Sequence, residues 1–359
     1  VPTFRPDVSQ ISPYRPGRPI EEVAAELGIQ PDEIVKLASN ECPLPPFPEV
    51  QEAIARHAST LNRYPDNGSR RLRQALASHL DVEPGYVWVG AGSSELLRVV
   101  ALAVGGPGTS AVYAWPSFVI YRLASILAMT RRVEVPLTEG QVHDPEALVA
   151  AVGNDTTVVY VCNPNNPTGT YLPKGAVEEL VDGLPERVLV VVDEAYYEYA
   201  TAPDYASALP LALRRSNVVV IRTFSKIYGL AGLRVGYAVG HPDTLTELAK
   251  AQAPFSVTSL AQMAALEALR HPEQVAERAR LNQVGRTQLE KGLSELGVDY
   301  VPSQANFVWF DSRRPTEESA AAFTRHGVIV RPMAGTWVRV TVGTEEENRR
   351  FLEALADLL

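Results

Sequence analysis

Between residues 110 and 240 the chain repeats one pattern, in which short β-branched apolar runs alternate with helical stretches. SAVYA, RRVEVP, TTVVYVC, RVLVVVDE, NVVVIRT and GYAVG read as strands, and segments such as FVIYRLASILA and PKGAVEELVDGL between several of them read as helices. This alternation predicts an α/β fold with a largely parallel sheet covered on both faces. In such sheets ligands sit at the carboxyl ends of the strands. Asn163, Asn166, Asp193, Thr223 and Lys226 all fall there, which is more polar chemistry than a plain loop rim needs.

The densest of these strand ends is VVVIRTFSKIYGLAGLRVGYAVG, residues 218 to 240. Val218 to Ile221 reads as a buried strand, and it delivers Thr223, Ser225 and Lys226 to its mouth, with Arg234 eight positions on. Lysine seldom leaves solvent without a chemical use. An amine with a depressed pKa forms Schiff bases, and hydroxyls beside an arginine suit a phosphate. Amine plus phosphate clamp points to pyridoxal phosphate. The plain alternative is a solvent-facing lysine in a glycine-rich loop.

Other strand ends add to this. Asp193 follows the run VLVVVD, where a carboxylate either caps the next turn or pairs with a protonated pyridine nitrogen. VVYVCNPNNPTG carries two Asn-Pro pairs where a turn needs one, and an asparagine amide there can hold a phenolate oxygen. YVWVGAGSSELLRVV reads as strand, glycine turn and helix, with first-turn amides and hydroxyls forming a ready anion site. A tight turn with no ligand has the same pattern.

The flanks divide the chain. Residues 1–40 form a Pro- and Arg-rich arm and part of a smaller domain, 41–245 a large cofactor domain, and 246–359 a smaller α+β domain. A length of 359 residues fits one large and one small core. A net charge of −9 argues against nucleic acid or an anionic membrane as partner. Cys42 and Cys162 give neither a disulfide framework nor a metal-ligand spacing, so no metal is expected. No run reaches membrane-spanning length and the first residues do not read as a signal, so a cytoplasmic protein is expected.

NPNNPTG, DEAYYEY and TFSKIYGLAGLRVGY together resemble fold-type I pyridoxal-phosphate aminotransferases. SPYRPG, KLASNE, NRYPDNG, GAGSSE and RVTVG are similar to the histidinol-phosphate aminotransferase family and its aromatic amino acid branch, and the motifs run from Tyr14 to Gly343. The resemblance implies a mainly parallel seven-stranded sheet between helices with a smaller α+β domain. It implies Lys226 as the Schiff-base lysine and proton shuttle, Asp193 at the pyridine nitrogen, and Asn166 and Tyr196 at the ring hydroxyl. Ser93, Ser94, Thr223, Ser225 and Arg234 would bind the phosphate and Phe118 would stack on the ring. Tyr64 would reach the phosphate of a neighbouring subunit, making the active unit a homodimer. Arg339 would grip the substrate α-carboxylate, with Asn40 and Tyr14 at the substrate. From its position alone Arg339 serves equally as an outward residue of a half-buried strand. Arg331 is a second anion candidate, for a substrate phosphate or a structural carboxylate.

One departure bears on substrate. Phosphate-substrate members usually stack a tyrosine from a Pro-Thr-Tyr triplet on the ring, whereas WPSFVIY supplies Phe118, which lacks the hydroxyl. This tilts the expectation toward Phe, Tyr or Trp as amino donor and 2-oxoglutarate as acceptor. The alternatives are histidinol phosphate as donor, or a decarboxylase or oxidase built on the same lysine.

Overall fold

The computed structural model describes residues 2–9, 11 and 17–359. Its strands, in chain order, are β1 (Val35–Lys36), β2 (Val87–Gly90), β3 (Ser110–Trp115), β4 (Arg131–Pro136), β5 (Thr156–Cys162), β6 (Leu189–Asp193) and β7 (Val218–Thr223). They continue with β8 (Gly236–Gly240), β9 (Tyr300–Val301), β10 (Phe307–Asp311), β11 (Val328–Ile329), β12 (Arg331–Ala334) and β13 (Trp337–Thr341). Seven of them form one sheet in the order β2-β8-β7-β6-β5-β3-β4. Only β8 runs against its neighbours; the other pairings are parallel.

The apolar runs bury both sheet faces. Val159, Val161, Val190, Val192, Val218 and Val220 enter one core under Leu148, Leu180 and Leu211 of covering helices. Val158, Tyr160, Val191, Val219 and Ile221 enter the opposite core under Leu96, Tyr121 and Leu245. Each fully buried valine contributes roughly 1.5–3 kcal/mol. Because both faces are apolar, alternation alone does not fix register; a one-residue slip would still bury valine. The polar ends resolve this, with Asp193 level with Cys162 on one side and Ile221 on the other.

The second sheet runs β12-β13-β10-β9, and β1 pairs in parallel with β11. Val308, Phe310, Val338 and Val340 pack there against Leu289 and Leu293 of helix Pro272–Glu295 and Phe351 of helix Glu345–Leu358. The N-terminal segment is thus stitched to the C-terminal third through Val35 and Val328. GVIVRP reads in sequence as one strand, but the structure splits it into β11 and β12 in different sheets. Pro332 has no N–H to donate, and β12 is an edge strand, where a proline is tolerated. Among the described residues no helix is long and apolar enough to cross a membrane.

Candidate active site

The carboxyl ends of β5, β6 and β7 bring the polar residues together. Asp193 closes β6 and is 1% exposed. Its Oδ2 accepts from the Tyr121 hydroxyl at 2.9 Å and its Oδ1 from the Ala195 amide at 3.2 Å. Burial pushes its carboxyl up to about 6, against the pull of those donors. A carboxylate held so dry gains from a cationic partner, which is what a protonated pyridine nitrogen offers.

Lys226 lies just past β7, partly buried, and its Nζ donates to the Ser39 carbonyl at 3.2 Å. The same Nζ stands 5.7 Å from the Tyr196 ring centroid. Burial first, and the charge of Arg339 next, push its amine down to about 7. An amine in that range is neutral often enough near pH 7 to attack a carbonyl.

An anion cup forms beside it. Helix Ser93–Val104 starts at Gly92, whose φ of +85° favours glycine. A Cβ on Gly92 would lie 2.6 Å from Arg234 Nη2, so the guanidinium presses directly on this turn. Gly236 is equally tight, since a Cβ there would lie 2.9 Å from the Ser93 nitrogen. Arg234 Nη1 donates to Ser225 Oγ at 3.2 Å, and the Ser225 amide donates to Thr223 Oγ1 at 3.1 Å. The helix N-terminus at Ser93 and Ser94 and the Arg234 guanidinium meet at this turn beside the Ser225 and Thr223 hydroxyls, a donor set that fits a phosphate.

The opposite wall comes from the smaller sheet. Arg339 of β13 donates through Nη1 to Asn166 Oδ1 at 2.5 Å and through Nη2 to the Ala38 carbonyl at 2.8 Å. Asn40, with φ +53°, donates from Nδ2 to the Tyr196 hydroxyl at 3.0 Å, and its amide donates to Thr341 Oγ1 at 2.9 Å. Asn306 Nδ2 donates to the Asn40 carbonyl at 3.1 Å. Arg331 lies level with Arg339 across β12 and β13, so both arginines share one sheet face. Phe118 caps helix Val119–Leu127 and meets Tyr121 edge to face at 5.9 Å.

The expected residues therefore gather at one place, with three exceptions. Tyr14 lies outside the described residues. Tyr64 is 83% exposed and stacks on Phe255 at 4.7 Å rather than lining this cup. Asn163 spends its side-chain oxygen on the Leu172 amide at 2.9 Å, so it braces the Asn-Pro loop. Sequence reasoning missed Tyr121, Ser39, Thr341 and Asn306. Asn306 had no local signal, whereas Ser39 and Thr341 lie inside the KLASNE and RVTVG motifs and Tyr121 sat one helical turn beyond Phe118.

The family described as aminotransferase class I and II matches residues 32–355. The chain is 44% identical over 361 residues to histidinol-phosphate aminotransferase 2 of Pseudomonas aeruginosa, covering 99% of this chain and 97% of that protein. It is also 44% identical over 357 residues to aromatic amino acid aminotransferase of Nocardia farcinica, again covering 99% and 97%. In structure it is similar to histidinol-phosphate aminotransferase from Sinorhizobium meliloti in complex with pyridoxal-5'-phosphate. That likeness has a TM-score of 0.90 at 28% identity, over 99% of this chain and 97% of the other.

Proposed function

We propose that this chain, which belongs to the class I and II aminotransferase family and takes pyridoxal phosphate as cofactor, uses an aromatic L-amino acid as donor and 2-oxoglutarate as acceptor. When bound, the cofactor supplies an aldehyde for the amino group and a protonated ring that draws electrons from the substrate Cα–H bond. With the cofactor bound, Lys226 Nζ would be the base that takes the substrate Cα proton and the acid that returns it in a 1,3-transfer. Asp193 holds the ring nitrogen, Asn166 and Tyr196 hold the ring hydroxyl, and Phe118 stacks on the ring. Ser93, Ser94, Thr223, Ser225 and Arg234 hold the phosphate. Arg339 grips the α-carboxylate of donor and acceptor alike, with Asn40 beside the substrate.

The observation that carries the aromatic reading is Phe118, braced against Tyr121, where a phenyl face offers stacking and no hydroxyl. The experiment is a panel of donors with 2-oxoglutarate, comparing kcat/KM for phenylalanine, tyrosine, tryptophan and histidinol phosphate. Phenylalanine leading supports the reading; histidinol phosphate leading by a large factor ends it. A second reading, histidinol phosphate as donor, draws on the side-by-side Arg331 and Arg339, a pairing that suits a phosphate dianion. The active unit in this proposal is a homodimer, with Tyr64 reaching the partner's phosphate cup. The wide exposure of Tyr64 and Phe255 on this chain supports that assignment.

A further inference from the structure

We propose that Tyr121 is a positioning residue: it keeps the Asp193 carboxylate charged and aimed, and so sets how firmly the site holds a proton on the cofactor's ring nitrogen. This rests on the role given above to Asp193.

Tyr121 has no exposed surface, and a phenol so buried needs a partner for its hydroxyl. That partner is Asp193 Oδ2, at 2.9 Å. The ring is held on two sides, stacked on Tyr160 at 4.9 Å with an 8° tilt and edge-on to Phe118 at 5.9 Å. Its backbone amide donates to the Phe118 carbonyl at 3.1 Å. One residue thus braces both a cofactor-stacking ring and the carboxylate beneath it.

Tyr160 carries the same hydroxyl in the same buried layer, yet that oxygen has no hydrogen-bond partner. Aromatic packing at this spot is therefore satisfied without a bonded phenol. What distinguishes Tyr121 is its charge-assisted bond to an acid, a type stronger than a neutral one.

The electrostatics run the same way. Burial works to protonate Asp193, and Glu194 adds to that; the donations from Tyr121 and Ala195 and the charge of Lys226 oppose it. Cys162 and Tyr196 also face this carboxylate and stay neutral, their pKa values raised chiefly by burial. Tyr121 itself is held far above the ordinary phenol range, by burial first and by Asp193 second, so it donates throughout the working range. Without it, Asp193 takes up a proton at higher pH, and a neutral acid no longer favours a charged ring nitrogen.

The test compares Tyr121→Phe with Tyr160→Phe as holoenzymes loaded with cofactor carrying 15N at the ring nitrogen. In Tyr121→Phe the ring nitrogen loses its proton at a pH lower by about one unit, and kcat falls about tenfold with KM for the donor little changed. Tyr160→Phe titrates like the parent. An unchanged 15N titration in Tyr121→Phe overturns the proposal, as does an equal shift in Tyr160→Phe, which would assign the effect to packing. Should Tyr121→Phe fail to fold, 3-fluorotyrosine at position 121 supplies the reading: a stronger donor, it moves the ring-nitrogen titration upward, and no movement overturns the proposal. Asp193→Asn separates the two levels. If its ring nitrogen titrates as in the parent, the role of Asp193 is itself wrong; if that titration collapses while Tyr121→Phe is silent, only the present inference fails.

Discussion

Arg339 donates to the side-chain oxygen of Asn166 at 2.5 Å across a sequence separation of 173 residues. The bond ties inner strand β13 of the smaller sheet to the Asn-Pro loop after β5, and the second guanidinium arm is anchored on the Ala38 carbonyl. A guanidinium fixed at two points is pre-aimed, so a carboxylate meets it without further ordering of the side chain.

Replacing Arg339 by lysine keeps the charge and loses the fork. We expect kcat/KM to fall about 10²-fold or more, by the same factor for donor and for acceptor, because one clamp serves both. Steady-state kinetics on each half-reaction checks this. A loss confined to one substrate would show that the two carboxylates are bound at different places.

Lys226 should behave as an amine with a pKa of about 7, pushed down foremost by burial. Only the neutral amine attacks an aldehyde, so the rate at which cofactor-free protein takes up pyridoxal phosphate rises with pH and levels off above about 8. Stopped-flow absorbance between pH 5.5 and 9.5 reads it directly. An inflection near the ordinary lysine value would contradict the burial argument. Lys226→Ala should lower kcat by about 10²–10⁴-fold, the span expected of a lost acid–base group.

His143 is 4% exposed, and the Asn165 side chain beside it only partly offsets the cost of burying a charged imidazole there. Burial pushes its pKa down to about 4, below the ordinary 6.5, so the folded chain keeps it neutral while the unfolded chain binds a proton. Stability from this group is intact above about pH 6.5 and is lost as pH falls toward 4, by roughly 3 kcal/mol at most. His143→Phe, which fills the site without a polar atom, should remove this acid-sensitive component and raise the midpoint of thermal unfolding at pH 5. Equal acid sensitivity in parent and variant would sink the assignment.

Tyr64, if it completes the partner's phosphate cup, gives a complementation test. Tyr64→Ala should weaken cofactor retention about tenfold, the scale of one hydrogen bond to a charged group. Mixing Tyr64→Ala with Lys226→Ala chains should regenerate one fully competent site per mixed dimer, up to half the parental activity per dimer. No recovery on mixing would mean that Tyr64 serves its own chain.

Much of this protein is written locally. Alternating apolar runs and helical stretches dictated the covered parallel sheet, because strands with no polar face must be buried on both sides. Lys226, Asp193 and Asn166 were legible because each is a polar residue set at the end of such a run, where the sheet stops and a ligand can begin. Folding decided the rest. The sequence offers no reason for Ser39 to meet Lys226, for Asn40 to meet Tyr196 or for Tyr121 to meet Asp193; those pairs stand 187, 156 and 72 residues apart. The split of GVIVRP between two sheets was also hidden, since strand propensity reports a residue's fit to a pleated surface and not which surface receives it. Local chemistry selects the groups, but only the tertiary fold, which brings β13 and residues 38–40 up to the loops after β5, β6 and β7, sets their distances, their dryness and hence their proton affinities.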